Sequence, residues 1–159
     1  PEEDIHQWNA ANVYRGLLNR DEAKKRIFAW LYNPASKDYL SNRTYNREEV
    51  LKKYWDGTHV KTCFGREIEA DAHHALNYII QSTTSDLFLR SMIRVHKLLK
   101  ECRSRIAFCI HDSLVLDFAY EDKERLQEIV GIFADTDLGK FKTNVSMGKN
   151  FKKMQLVQV

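Results

Sequence analysis

The chain has 159 residues, 30% of them charged and 43% hydrophobic, with a net charge of +3. That fits one soluble globular domain or a piece of a larger one, and the mild positive charge is only a weak pointer to an anionic partner. No apolar run approaches membrane-spanning length, so no membrane partner is expected. Cys63, Cys102 and Cys109 are an odd number without metal-ligand spacing, which points to free thiols in a reducing compartment. The start PEEDIH has neither an initiator methionine nor a signal-peptide pattern, and a processed, spliced or truncated product is expected.

In chain order, residues 4–15 (DIHQWNAANVYR) have helical apolar spacing that Gly16 ends. Residues 19–34 (NRDEAKKRIFAWLYNP) read as a second helix. Asn19 suits the N-cap, Glu22 completes a capping box, and Asn33-Pro34 stops the helix. Residues 37–46 are polar and irregular and are expected to form a loop. Residues 47–55 read as a short amphipathic helix, and residues 58–68 as a β-hairpin with a Gly-Arg turn. Residues 70–101 are the longest helical candidate, with a break or bend expected at Gln81-Ser82-Thr83-Thr84. Residues 106–118 (IAFCIHDSLVLDF) carry the strongest strand signal, two apolar runs around His111-Asp112-Ser113. A helix over 121–133 and a strand over 142–147 follow, before a polar tail. The order of elements predicts an α+β fold.

Three constellations bear on function. Arg20, Lys24, Phe28 and Tyr32 recur every four residues and form one helical stripe, roughly 18 Å long at about 1.5 Å per residue. Two cations followed by two rings suit a nucleotide lying along the helix, although a solvated basic face with a packed aromatic edge has the same spacing. His111-Asp112 places a carboxylate at the end of a rigid element, where it suits a hard cation such as Mg²⁺; an ordinary turn pair is the alternative. Asn77 and Gln81, one helical turn apart, could read base edges in a minor groove or cap a helix break. Adjacent His73 and His74 do not share a helical face and read as surface residues.

Taken together and in order, R-x-x-x-K-x-x-x-F-x-x-x-Y, N-x-x-x-Q-S-T-x-x-D and I-H-D-S resemble family A (DNA polymerase I-like) DNA polymerases. Residues 20–32 look like motif B, 75–86 like the N-x-x-x-Q-G-T-A-A-D segment, and 110–113 like motif C. DIHQWNAANVY is similar to the lead-in to motif B, and TNVSMGKNF to the closing strand and tail. The resemblance implies the C-terminal part of a right-hand polymerase fold, with residues 1–69 in the fingers and 70–159 in the palm. It implies that Arg20 and Lys24 hold a triphosphate, Phe28 packs on a deoxyribose, and Tyr32 closes over the base pair. It further implies that Asn77 and Gln81 touch the minor groove, that His111 lies near the primer end, and that Asp112 holds catalytic Mg²⁺. Asp112, Lys24 and His111 would be the catalytic set for phosphoryl transfer from a dNTP to the 3′-hydroxyl of a DNA primer-template.

Some positions depart from the family pattern. Ala29 and Asn33 stand where motif B usually has glycines, Ser82 replaces the glycine after Gln81, and Ser113 replaces the glutamate after the motif C aspartate. Single-subunit RNA polymerases also carry H-D-S, so an RNA polymerase fragment is the sibling alternative; a non-catalytic polymerase-like DNA-binding module is the other. Motif A, with the second metal-binding aspartate, would precede Asp4. A split polymerase of bacterial or phage-infected cytoplasm is therefore expected, docking tightly onto an N-terminal polypeptide that carries motif A and the thumb. A palm sheet cut between strands leaves an edge to be covered.

Overall fold

The computed structural model describes residues 4–158, which form two compact units, one ending at Thr84 and one beginning at Ser85. In the first unit, α1 (Ile5–Trp8) is capped by the Asp4 carboxylate, which accepts from the His6 and Gln7 amides. It runs directly into a π-helical turn, Asn9–Val13. The single helix expected over 4–15 is therefore wound in two ways. Asn9, Ala10, Val13 and Tyr14 are all buried there, and left-handed Arg15 and Gly16 (φ 55° and 76°) end it.

Helix α2 (Arg20–Tyr32) has the boundaries and the reciprocal capping box read from the sequence: Asn19 Oδ1 accepts from the Asp21 and Glu22 amides, and Glu22 accepts from the Asn19 amide. Its Ala23 and Ile27 pack with Ala10, Val13 and Tyr14. The loop expected over 37–46 is instead α3 (Tyr39–Tyr45). Its polar composition hid a buried cap. Asp38 accepts from the Ser41 amide, the Ser41 and Tyr14 hydroxyls and the Arg26 guanidinium. Burial alone would raise the Asp38 carboxyl, but the Tyr14 and Ser41 hydrogen bonds outweigh it, so the net shift is downward. Burial likewise pushes the Tyr14 phenol up to about 12.

Left-handed Asn46 (φ 43°) links α3 to α4 (Arg47–Tyr54), and α4 leads into the antiparallel hairpin β1 (His59–Lys61) and β2 (Glu67–Glu69). A second core gathers Val60, Ala70, Ala75 and Ile79, with Leu51 and Trp55 against it. Helix α5 (Ala75–Leu99) is continuous through residues 81–84, so the expected break is absent. The polar side chains there are satisfied inside the helix: the Ser82 hydroxyl donates to the Tyr78 carbonyl and the Thr84 hydroxyl to that of Ile80. Bonded in this way, the hydroxyls do not compete for the backbone amides that a break would free.

In the second unit, β3 (Arg105–Ile110) and β4 (Ser113–Asp117) pair antiparallel, with a register shift between Ile106 and Phe108. Ile106, Leu114 and Leu116 pack on a core of Val95, Leu99, Cys102 and Ile129, while Phe108 and Ile110 are exposed. One face of the hairpin thus lies on a core, while the other is only partly covered, with the Phe151 ring stacked on Phe108. The helix expected over 121–133 is a 3₁₀ turn, Tyr120–Arg125, leading into α6 (Leu126–Ala134). The sequence reading missed a small ribbon of β5 (Asp135–Thr136) and β6 (Gly139–Lys140), held by the Arg90–Asp137 ion pair at 2.7 Å. The last predicted strand is β7 (Val145–Met147), and it pairs with β8 (Gln155–Val157), so the expected polar tail is a strand. All three cysteines are free thiols. No helix among the described residues is long and apolar enough to cross a membrane.

Candidate functional site

One face of α2 is buried through Ala23, Ile27 and Trp30, so Arg20, Lys24, Phe28 and Tyr32 share the exposed face. The stripe is ordered within itself. Lys24 Nζ lies 5.8 Å from the Phe28 ring centroid, and the Phe28 and Tyr32 rings are 5.9 Å apart. His6 from α1 meets Phe28 edge-on at 5.6 Å, and its Nδ1 is buried without a hydrogen-bond partner among the described residues. The sequence reading passed over His6, because only the tertiary packing of α1 on α2 places it at the stripe; its position in the D-I-H lead-in was the available signal.

Arg20 is already engaged. Its Nη2 and Nε donate to Asp4 Oδ2 at 2.8 and 3.1 Å, and its Nη1 to Asp21 Oδ1 at 3.0 Å. The Arg20 hydrogen bond is the main cause that lowers the Asp4 carboxyl to about 2, with the Gln7 amide next. Both side chains remain nearly half exposed, so an anion can reach the guanidinium.

The far end of α2 is closed by Arg47 of α4. Its Nη1 donates to the Pro34 carbonyl at 2.9 Å and its Nη2 to that of Trp30, while the guanidinium lies 4.7 Å from the Trp30 ring centroid. Burial pulls the Arg47 pKa downward. These contacts satisfy carbonyls that a helix end leaves without partners. They also give the end of the helix a defined shape although Ala29 and Asn33 stand where glycines were expected.

Asn77 and Gln81 lie on the first turns of α5; Asn77 is half-buried with Oδ1 unpartnered among the described residues, and Gln81 is exposed. His73 and His74 lie in the turn before α5, both exposed, and His74 Nδ1 is 2.8 Å from Asp71 Oδ1.

His111 and Asp112 form the two-residue loop between Ile110 and Ser113, which pair as the last rung of the hairpin. His111 takes a left-handed φ of 52°, which turns the chain and leaves Asp112 exposed at the tip. The Ser113 hydroxyl approaches Asp112 Oδ1 at only 3.4 Å, so both carboxylate oxygens can still coordinate a cation. The donor set fits Mg²⁺ as one protein ligand of a site completed by others, since that ion takes one or two carboxylates plus phosphate oxygens and water. No group of three or more potential ligand side chains occurs among the described residues.

Comparison with known proteins follows the same outline. The model of the family "DNA polymerase family A" matches residues 35–153, a span that holds Asn77, Gln81, His111 and Asp112 and begins just after α2. A DNA polymerase I of Caldicellulosiruptor bescii is 38% identical over 129 residues, which cover 71% of this chain and 14% of that protein. The POL domain of Pol1 from M. smegmatis, solved in complex with DNA primer-template and dNTP, superposes with a TM-score of 0.64 at 18% identity. The superposition covers 83% of this chain and 31% of the solved one. The chain therefore spans a small part of the relatives it matches. The α+β arrangement is that of a polymerase domain, and the chain belongs to DNA polymerase family A.

Proposed function

We propose that the chain forms part of the fingers (residues 1–69) and palm (70–159) of a template-directed DNA polymerase. The observation that carries this reading is α2, a helix capped at both ends whose exposed face presents Arg20, Lys24, Phe28 and Tyr32 in the order that phosphates, sugar and base require. Arg20 exchanges Asp4 for triphosphate oxygens, and Lys24 adds a second positive charge one turn on. Charge-assisted hydrogen bonds of this kind are the strong ones. Phe28, with His6 packed against it, gives the sugar an aromatic ring to pack on. Tyr32 covers the base-pair position, Asn77 and Gln81 face the minor groove, and His111 approaches the primer end.

Asp112 is one carboxylate ligand for Mg²⁺. Bound Mg²⁺ would supply charge neutralisation for displacement of pyrophosphate by a primer 3′-hydroxyl, with Asp112 as the ligand from this chain. The second aspartate and the thumb come from outside these residues, from an N-terminal polymerase polypeptide. The setting would be the cytoplasm of a bacterial or phage-infected cell.

The test is primer extension with Mg²⁺ by the chain assembled with that N-terminal part. Asp112→Asn is expected to lower synthesis about a thousandfold, since a metal contributes several kcal/mol at the transition state. DNA binding should persist. Synthesis that survives the substitution overturns the catalytic assignment, and preferential use of ribonucleotides overturns the deoxynucleotide assignment.

A further inference from the structure

Residues 138–159 hold five of the chain's 25 basic residues and none of its 22 acidic ones, so the rest of the chain is net acidic. Three of these lysines, Lys149, Lys152 and Lys153, are exposed around one open cavity of about 580 Å³ at the β7–β8 turn. The turn is built to bring them together. Asn150 caps the 3₁₀ turn Phe151–Lys153 by accepting from the Lys153 amide. Gly148 lies so close to the returning strand that a Cβ there would sit 2.5 Å from the Lys153 carbonyl oxygen. Among the described residues these three ammonium groups have no acidic partner within ion-pair distance. Phe151, between them in sequence, stacks on Phe108 of β3 at 5.7 Å and 24°. The basic turn is thereby fixed to the strand that leads to His111 and Asp112.

We propose that Lys149, Lys152 and Lys153 form a phosphate grip for the backbone of duplex DNA, independent of base sequence. This rests on the polymerase reading, which selects nucleic acid over other polyanions. Unpaired lysines act as point charges toward phosphate, and each phosphate neutralised releases counterions. The signature is the salt dependence of binding.

The experiment measures binding of a labelled primer-template to the chain assembled with its N-terminal part by fluorescence anisotropy, between about 50 and 200 mM salt. The triple variant Lys149→Gln, Lys152→Gln, Lys153→Gln is expected to flatten the log–log slope by about 2 to 3, near 0.9 for each phosphate that is no longer neutralised. The three Lys→Arg replacements should keep the slope, and melting curves confirm that each variant is folded. A control that neutralises exposed Lys37, Lys97 and Lys100 changes net charge equally and should flatten the slope by less than half as much. Equal flattening by the control, an unchanged slope in the triple variant, or no DNA binding by the wild-type chain overturns the grip. So does loss of binding to phosphatidylserine vesicles without change on DNA. Synthesis abolished by Asp112→Asn alongside an unchanged slope keeps the polymerase reading and removes the grip. A flattened slope without any synthesis does the reverse.

Discussion

Helix α2 offers its candidate ligands from an element tied down at both ends and along one face, whereas the β3–β4 hairpin offers Asp112 from a two-stranded ribbon supported on one side. In α2 the capping box, the Asp4–Arg20 pair and the Arg47 clamp each satisfy groups that would otherwise be free. In the hairpin, Ile106, Leu114 and Leu116 reach a core while Phe108 and Ile110 face outward. If the stripe takes the nucleotide as proposed, its rings are already in place and only Arg20 has to change partner, and preorganisation of that kind lowers the entropic cost. A metal ligand at the tip of a ribbon with an open face depends on whatever covers that face. The difference is that between the two halves of the proposed site, the nucleotide stripe and the metal ligand.

Four substitutions test that comparison. Leu99→Ala empties a fully buried position beneath the hairpin, at a cost of about 3 kcal/mol. Hydrogen exchange should then rise in β3 and β4 and stay low in α2; equal loosening of both would show that the two elements do not stand apart. Arg47→Met leaves the Trp30 and Pro34 carbonyls without their donor, and is expected to cost about 2 kcal/mol. Its effect should concentrate at the end of α2 and weaken dNTP binding through Tyr32. Unaltered affinity with a lowered melting temperature would restrict Arg47 to stability.

Asp4→Asn keeps an oxygen to cap α1 but removes the charge that holds Arg20. The Asp4 carboxyl is depressed from 3.8 to about 2 in the folded chain. Its contribution is therefore complete above pH 3.8 and is lost as pH falls through about 2. In acid titrations followed by circular dichroism, the variant should lose less stability over that window than the wild type. Asp56 is depressed to about 2 by the His59 and Thr58 amides and is retained as an internal reference. An identical acid transition would mean that the ion pair does not hold Arg20 in solution. Smallest of all, Ile110→Thr on the open face of the hairpin should change stability by less than about 0.5 kcal/mol. A loss several times larger in a thermal melt would show that packing on this face extends beyond the Phe108–Phe151 stack to Ile110, and would break the contrast with α2.

Helix α2 to the residue, the β1–β2 and β3–β4 hairpins and the family were legible in the amino-acid order alone, because those features rest on local rules. An N-cap and the glutamate three residues on, a proline that stops a helix, and apolar runs around a short turn need no distant partner to be recognised. The polar candidates were legible for the same reason: a four-residue repeat on a helix and an aspartate between two strands carry their geometry in their spacing.

Packing between elements settled the rest. Residues 37–46 looked like a loop because their helix depends on Asp38 being buried under Tyr14 and Arg26, from two other elements. Residues 81–84 looked like a break because hydroxyls that compete with the backbone in isolation donate back into it once α5 is formed. His6 joins the α2 stripe, and Lys149, Lys152 and Lys153 share one cavity, only through packing and the closeness that Gly148 permits. Short-range rules act before the chain folds, whereas burial, long-range charge pairing and the convergence of side chains exist only after it has folded.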